Sequence, residues 1–188
     1  MALTPEIKAQ LNQYLVNLKS NVVIEAFVDE SESSTNMSEL LIELTEMSEK
    51  IVLNVHKDKN ERTPSFKINR PNESTGIQFA GIPLGHEFSS LVLALLQVGD
   101  HPLKISYNLI EQIKKIKGNF VFETFISLSC HNCPDVVQAL NILSLLNPRI
   151  SHCMIDGALF QNEIKRKQIM SVPTVFLNGE EFSQGRVE

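Results

Sequence analysis

The chain has 188 residues, 43% of them hydrophobic and 21% charged, with a formal net charge of −5. That length can bury a sizeable core, as one large domain or two small ones. The sign of the charge argues against nucleic acid or an anionic membrane as the main partner, and the longest purely aliphatic run, Leu91 to Leu96, is far too short to span a bilayer.

Thr4-Pro5-Glu6 predicts a helix start, with a capping threonine, proline at the first helical position and an acid in the first turn. Ile7, Leu11, Tyr14, Leu15 and Leu18 follow at helical spacing. Val22 to Val28 predicts a strand, Met37 to Met47 a helix, and Ile51 to Val55, Ser65 to Ile68 and Ile77 to Phe79 three further strands. Glu87 to Val98 closes the series as a strongly apolar helix before the break at Gly99-Asp100-His101-Pro102. The same order then starts again. Leu103 to Lys117 predicts a helix stopped by Gly118, Phe120 to Ile126 a strand, and Pro134 to Leu146 a helix whose polar residues form one narrow stripe of Asp135, Gln138, Asn141 and Ser144. Ile150 to Ile155 reads as a strand, Ala158 to Lys167 as a helix and Val172 to Leu177 as a strand. Asn178-Gly179 suits a type I′ hairpin turn, with the return strand starting at Phe182-Ser183.

The two halves are one unit written twice. Phe27 matches Phe125 at an offset of 98, and Thr63-Pro64-Ser65-Phe66 matches Val172-Pro173-Thr174-Val175 at an offset of 109. The difference falls where the second half has an extra helix and the first has only Lys57 to Arg62. The expectation is two units, residues 1–100 and 103–188.

The chemistry-bearing stretch is Cys130-His131-Asn132-Cys133-Pro134, between the strand ending at Ile126 and the helix opening at Pro134. Unpaired backbone N–H groups and the positive end of the helix dipole favour a thiolate there, and His131, when protonated, adds a second favourable charge. A dithiol that cycles is the preferred reading. A zinc site would need four ligands, and Cys153, His131 and His152 supply no second Cys-x-x-Cys. In the first half, Ser31 to Asn36 occupies the equivalent place without a thiol.

Helix–strand–helix–strand, then proline, strand and hairpin, resembles the thioredoxin fold, whose cis-proline corresponds here to Pro64 and Pro173. The resemblance becomes specific over Gly81-Ile82-Pro83-Leu84-Gly85-His86-Glu87-Phe88, Cys130 to Asn141, Asn147-Pro148-Arg149-Ile150, Phe160-Gln161-Asn162-Glu163 and Gln184-Gly185-Arg186. In these the chain is similar to the N-terminal region of the flavoprotein subunit of bacterial alkyl hydroperoxide reductase. That resemblance implies an α/β architecture of two fused thioredoxin-like folds, with an active dithiol in the second alone. It also implies an electron relay from NADH through FAD, in a flavoprotein part of the same chain, to the disulfide of a peroxiredoxin, and a homodimeric full-length protein. No Gly-x-Gly-x-x-Gly fingerprint occurs, so neither cofactor is expected on these residues. The second unit stops where the first unit's last helix would begin, which reads as a fragment of a longer chain.

Within that frame Cys130 is expected to attack the partner's disulfide and Cys133 to resolve the mixed disulfide. Pro173 is expected beside the pair, as in the family. Thioredoxin's buried carboxylate, six residues before the first cysteine, corresponds to Thr124, so Glu87 from the first unit is the candidate proton acceptor; its alternative role is to complement the dipole of the helix it opens. Cys153 reads as a small buried hydrophobe, His152 as a residue on the opposite strand face without a motif, and Lys165-Arg166-Lys167 as a basic helix end. Three cysteines and no leader-like opening predict a cytoplasmic protein. A general disulfide reductase or isomerase is the alternative function, although a dithiol in each unit would then be expected.

Overall fold

Runs of β-branched and aromatic residues build the same small sheet in each half of the chain. In the computed structural model, which describes residues 3–186, the first half supplies β1 (Val22–Phe27), β2 (Ile51–His56), β3 (Ser65–Asn69) and β4 (Ile77–Ala80). The second supplies β5 (Phe120–Ile126), β6 (Ile150–Asp156), β7 (Thr174–Leu177) and β8 (Glu180–Gln184). β1 runs parallel to β2 and antiparallel to β3, which turns back into β4. β5, β6, β7 and β8 repeat that pattern. Phe27 faces Ser65 in the register in which Phe125 faces Thr174, so the sequence repeat is a structural one. Both Thr63–Pro64 and Val172–Pro173 are cis.

The halves meet edge to edge. β4 pairs in parallel with β6, Ile77 opposite His152 and Ala80 opposite Ile155. One eight-stranded sheet results, in the order β2-β1-β3-β4-β6-β5-β7-β8. The largest core lies on one face of it, under α1 (Pro5–Leu15), α2 (Glu32–Met47), α3 (Phe88–Val98) and α5 (Cys133–Leu146), and it is continuous across the seam. Leu91 and Leu95 of α3 share that core with Ile126, Cys133, Val137 and Met154 of the second half. A smaller core of Ala80, Phe125, Cys153, Ile155 and Phe176 lies on the other face, with Ile164 of α6 (Gln161–Arg166) packed against it. Truncating a buried phenylalanine such as Phe125 to alanine would cost about 3–5 kcal/mol.

Several boundaries differ from the sequence expectation, each for a local reason. α2 starts at Glu32 rather than Met37, because Ser31 caps it with its hydroxyl on the Ser34 N–H. α4 (Tyr107–Lys114) is shorter than 103–117: Ser106 caps its start, and the Asn147 amide donates to the carbonyls of Ile113 in its last turn and Ile116 just past its end. α6 begins after a turn in which Asp156 accepts the Ala158 N–H. β8 begins at Glu180 because Asn178 and Gly179 both take positive φ and close a two-residue turn. No helix follows β8 among the described residues, so α3 has no counterpart in the second unit there.

The polar stripe of α5 does not point to water. Asp135 is exposed, but Asn141 and Ser144 are buried. The Gln138 amide donates to Ser89 and Ser90 of α3, Asn141 bonds to His152 of β6, and Ser144 donates to the Thr75 carbonyl beside β4. Gln138 and Ser144 thus hydrogen-bond the first unit, and Asn141 the sheet of its own unit.

Candidate thiol–disulfide site

The turn between β5 and α5 places Cys130 at the surface and Cys133 as the first residue of the helix. The two are joined as a disulfide, with Cα atoms 5.5 Å apart. Cys133 is fully buried and Cys130 partly exposed. The backbone N–H of Cys133, one of the donors a helix start leaves unpaired, points at Cys130 Sγ at 3.2 Å. Once the disulfide opens, that N–H and the helix dipole stabilise negative charge on Cys130. Val172 O lies 3.9 Å from the same sulfur, which sets the buried cis Pro173 beside the pair.

The first unit forms the opposite wall. Its Gly85–Glu87 turn packs against α5, and Glu87 has no solvent exposure. Neither carboxylate oxygen of Glu87 has a hydrogen-bond partner. The Ser90 hydroxyl pulls the other way without reaching hydrogen-bonding geometry, so desolvation dominates and pushes the carboxyl up to about 7. His86, one residue earlier, rests its exposed ring on that of His131, centroids 4.2 Å apart. Of the expected residues, Cys130, Cys133, His131 and Pro173 thus lie together, and Glu87 belongs to the turn that packs against the helix carrying Cys133.

A buried polar network behind the site had no sequence motif. Asn141 Oδ1 accepts from His152 Nδ1 at 2.7 Å, which leaves Nε2 to accept the Thr124 hydroxyl at 2.7 Å. Burial holds His152 neutral, with its pKa lowered to about 3. The signal lay in strand alternation, since Thr124 and His152 are polar residues at core-facing positions. Cys153 faces the other side; burial pushes its thiol up to about 12. Arg62, from the first unit, approaches it and is held in turn by Glu163 at 2.8 Å and by Glu123. Among the described residues no group of three or more His, Cys, Asp or Glu side chains converges as a metal site.

Comparison with known proteins agrees with this geometry. The thioredoxin domain family matches residues 121–188. Over 100% of its length the chain is 57% identical to a protein of Ferdinandcohnia aciditolerans named NADH dehydrogenase. Over 98% of its length it is 53% identical to the F component of alkyl hydroperoxide reductase in Escherichia coli strain K12. It spans 36% of each, just over a third of the curated relatives' length. The crystal structure of the NTD_N/C domain of alkyl hydroperoxide reductase AhpF from Enterococcus faecalis matches with a TM-score of 0.90 at 33% identity, covering 100% of this chain and 96% of that one.

The chain belongs to the family of AhpF N-terminal domains. The α/β architecture of two fused thioredoxin-like folds follows with that membership, and in this chain only the second fold carries cysteines at the strand-to-helix turn. None of the helices described is long and apolar enough to cross a membrane.

Proposed function

We propose that this chain is a thiol–disulfide relay that passes electrons from an NADH-dependent flavoprotein part of a longer protein to the disulfide of a peroxiredoxin, which in turn reduces alkyl hydroperoxides and hydrogen peroxide. The observation that carries the reading is the Cys133 N–H aimed at Cys130 Sγ on the exposed side of a buried partner thiol. In the reduced chain the Cys130 thiolate attacks one sulfur of the partner's disulfide. A mixed disulfide forms and the partner's other sulfur leaves as a thiolate. Cys133, deprotonated, then attacks Cys130 Sγ; the Cys130–Cys133 disulfide closes and the partner leaves with both thiols reduced. Two electrons pass per cycle. The Cys133 proton needs an acceptor inside a closed interface, and Glu87 is suited to receive it. Its raised affinity for protons places it near neutrality, where it can both accept and release one.

We further assign residues 1–100 to the unit without cysteines and 103–188 to the redox unit, and we place the protein in the cytoplasm with a homodimeric full-length form. FAD and NADH belong to length outside this chain, since the sequence lacks a dinucleotide fingerprint.

The test uses the reduced chain with an oxidised peroxiredoxin. One round of reduction is expected, after which transfer stops. Turnover resumes when a flavoprotein disulfide reductase and NADH are added, while Cys130→Ser stays silent. Peroxide-dependent NADH oxidation that ignores the chain's concentration, or survives Cys130→Ser, overturns the relay.

A further inference from the structure

We propose that His86, from the unit that has no cysteines, is a positioning residue for the dithiol: its ring holds the His131 imidazole beside Cys130. The inference rests on the relay reading of the Cys130–Cys133 pair, and adds to it a side chain from outside the redox unit.

The contact is built by the backbone. The loop after β4 brings Gly85 and His86 onto the cysteine turn, where the His86 N–H donates to Leu128 O at 2.9 Å. Gly85 has φ +57°, and a Cβ there would come within 2.7 Å of that same carbonyl oxygen. Both the conformation and the close approach call for glycine. This seat fixes the direction in which His86 leaves the loop, and its ring meets His131 with centroids 4.2 Å apart and planes at 59°.

Both rings are exposed, so burial of apolar area contributes little to holding them. What the contact supplies is order. His131 sits on a turn flanked by exposed Ser129 and Asn132, and a free side chain there would sample several rotamers. Packing its ring against His86 restricts that choice for the residue adjacent in sequence to Cys130, whose sulfur must carry negative charge. The other titratable groups on the elements packed here are Cys133 and Asp135 on α5 and Glu87 on the first-unit turn. Asp135 and Glu87, when ionised, oppose a thiolate, which makes a held imidazole the favourable partner.

The test is a double-mutant cycle on the whole reduced chain. Cys130 is alkylated with iodoacetamide across a pH series, modified peptides are assigned by mass spectrometry, and the dithiol is equilibrated with glutathione buffers. His86→Ala is expected to slow Cys130 alkylation at neutral pH about three- to tenfold, and to move the inflection of its pH profile upward. His86→Phe keeps a ring against His131 and restores most of the rate. In the His131→Ala background, His86→Ala changes nothing further. An equal effect of His86→Ala in both backgrounds overturns the proposal, as does a His86→Phe variant as slow as His86→Ala, or a His86→Ala variant with the parent's profile. Unchanged thermal unfolding of each variant separates positioning from misfolding. These readouts need no peroxiredoxin, so they fail or succeed apart from the relay itself.

Discussion

The molecule contains two strand-to-helix turns in one frame, and they are closed by different chemistry. In the first unit Asp29 accepts from the Ser31 N–H at 2.9 Å, the Ser34 hydroxyl at 2.8 Å and the Thr63 hydroxyl at 2.9 Å, while Ser31 caps the helix. Thr63 precedes cis Pro64, so the knot ties the turn to the proline loop. In the second unit the Cys130–Cys133 disulfide closes the turn, with Val172, before cis Pro173, against its sulfur. Both proline carbonyls accept an N–H from the glycine after the last strand, Gly81 at 3.0 Å and Gly185 at 2.8 Å. The turns differ in length: residues 28–31 lie between Phe27 and α2, residues 126–132 between Phe125 and α5. The fold closes this turn without a thiol. The dithiol is what the longer turn adds, a closure that another thiol can open.

The comparison breaks first, and most visibly, if the second unit stands alone. Residues 103–188 expressed by themselves would bare the β6 edge and the apolar side chains that α3 covers. Scanning calorimetry is expected to show one cooperative transition for the whole chain and none for the isolated half, with strong binding of an apolar dye. A monomeric half that unfolds cooperatively would mean the units are independent.

A smaller effect, with a definite sign, is expected at the wall between them. The Glu87 carboxyl has a folded pKa of about 7, above its ordinary value near 4.3. The folded state therefore binds more protons than the unfolded chain between those values, and stability falls as pH rises through that window. Glu87→Gln is expected to stabilise the chain at pH 8, on the order of 1–3 kcal/mol, with little change at pH 5. Urea unfolding at both pH values checks this, and an equal gain at pH 5 would show that the cost is not that of a buried charge.

The smallest effect belongs to the thiol-free turn. Hydrogen bonds from Ser31, then from Ser34 and Thr63, hold the Asp29 carboxyl well below the usual carboxylate range. Its contribution is present above the ordinary carboxylate value near 3.9 and is lost as pH falls below it. Because the group is exposed, Asp29→Asn is expected to cost only about 1 kcal/mol at pH 7. Alkylation of Cys130 should be unchanged, which chemical denaturation and a thiol assay test together.

Much of this was legible in the residues. Period-2 and period-3.6 patterns placed most of the elements, the paired X-Pro steps exposed the repeat, and Cys130-His131-Asn132-Cys133 marked the turn. What stayed hidden depends on distance in the chain. The β4–β6 seam joins strands that share no local signal, because a parallel pairing is specified by the packing of whole units. Arg62 ends the segment that the first half has in place of a helix, yet it reaches Glu123 and Glu163 in the other unit. His152 and Thr124 stand out only as polar residues at core-facing strand positions, and their link through Asn141 was hidden because the three come from three different elements.

The seam has a direction. β4 does not meet a second β4, as an edge would across a two-fold axis; it meets β6, the equivalent of β2. One unit thus follows the other along the sheet, nearer to a translation than to a rotation that returns on itself. Such an arrangement is open at both ends. β2 presents the kind of edge that β6 presents to β4, and β8 the kind that β4 presents to β6. Strand geometry alone therefore sets no limit at two. Side chains set it: β8 begins with Glu180 and Glu181, and β2 runs out into Lys57, charges that blunt an edge against further growth.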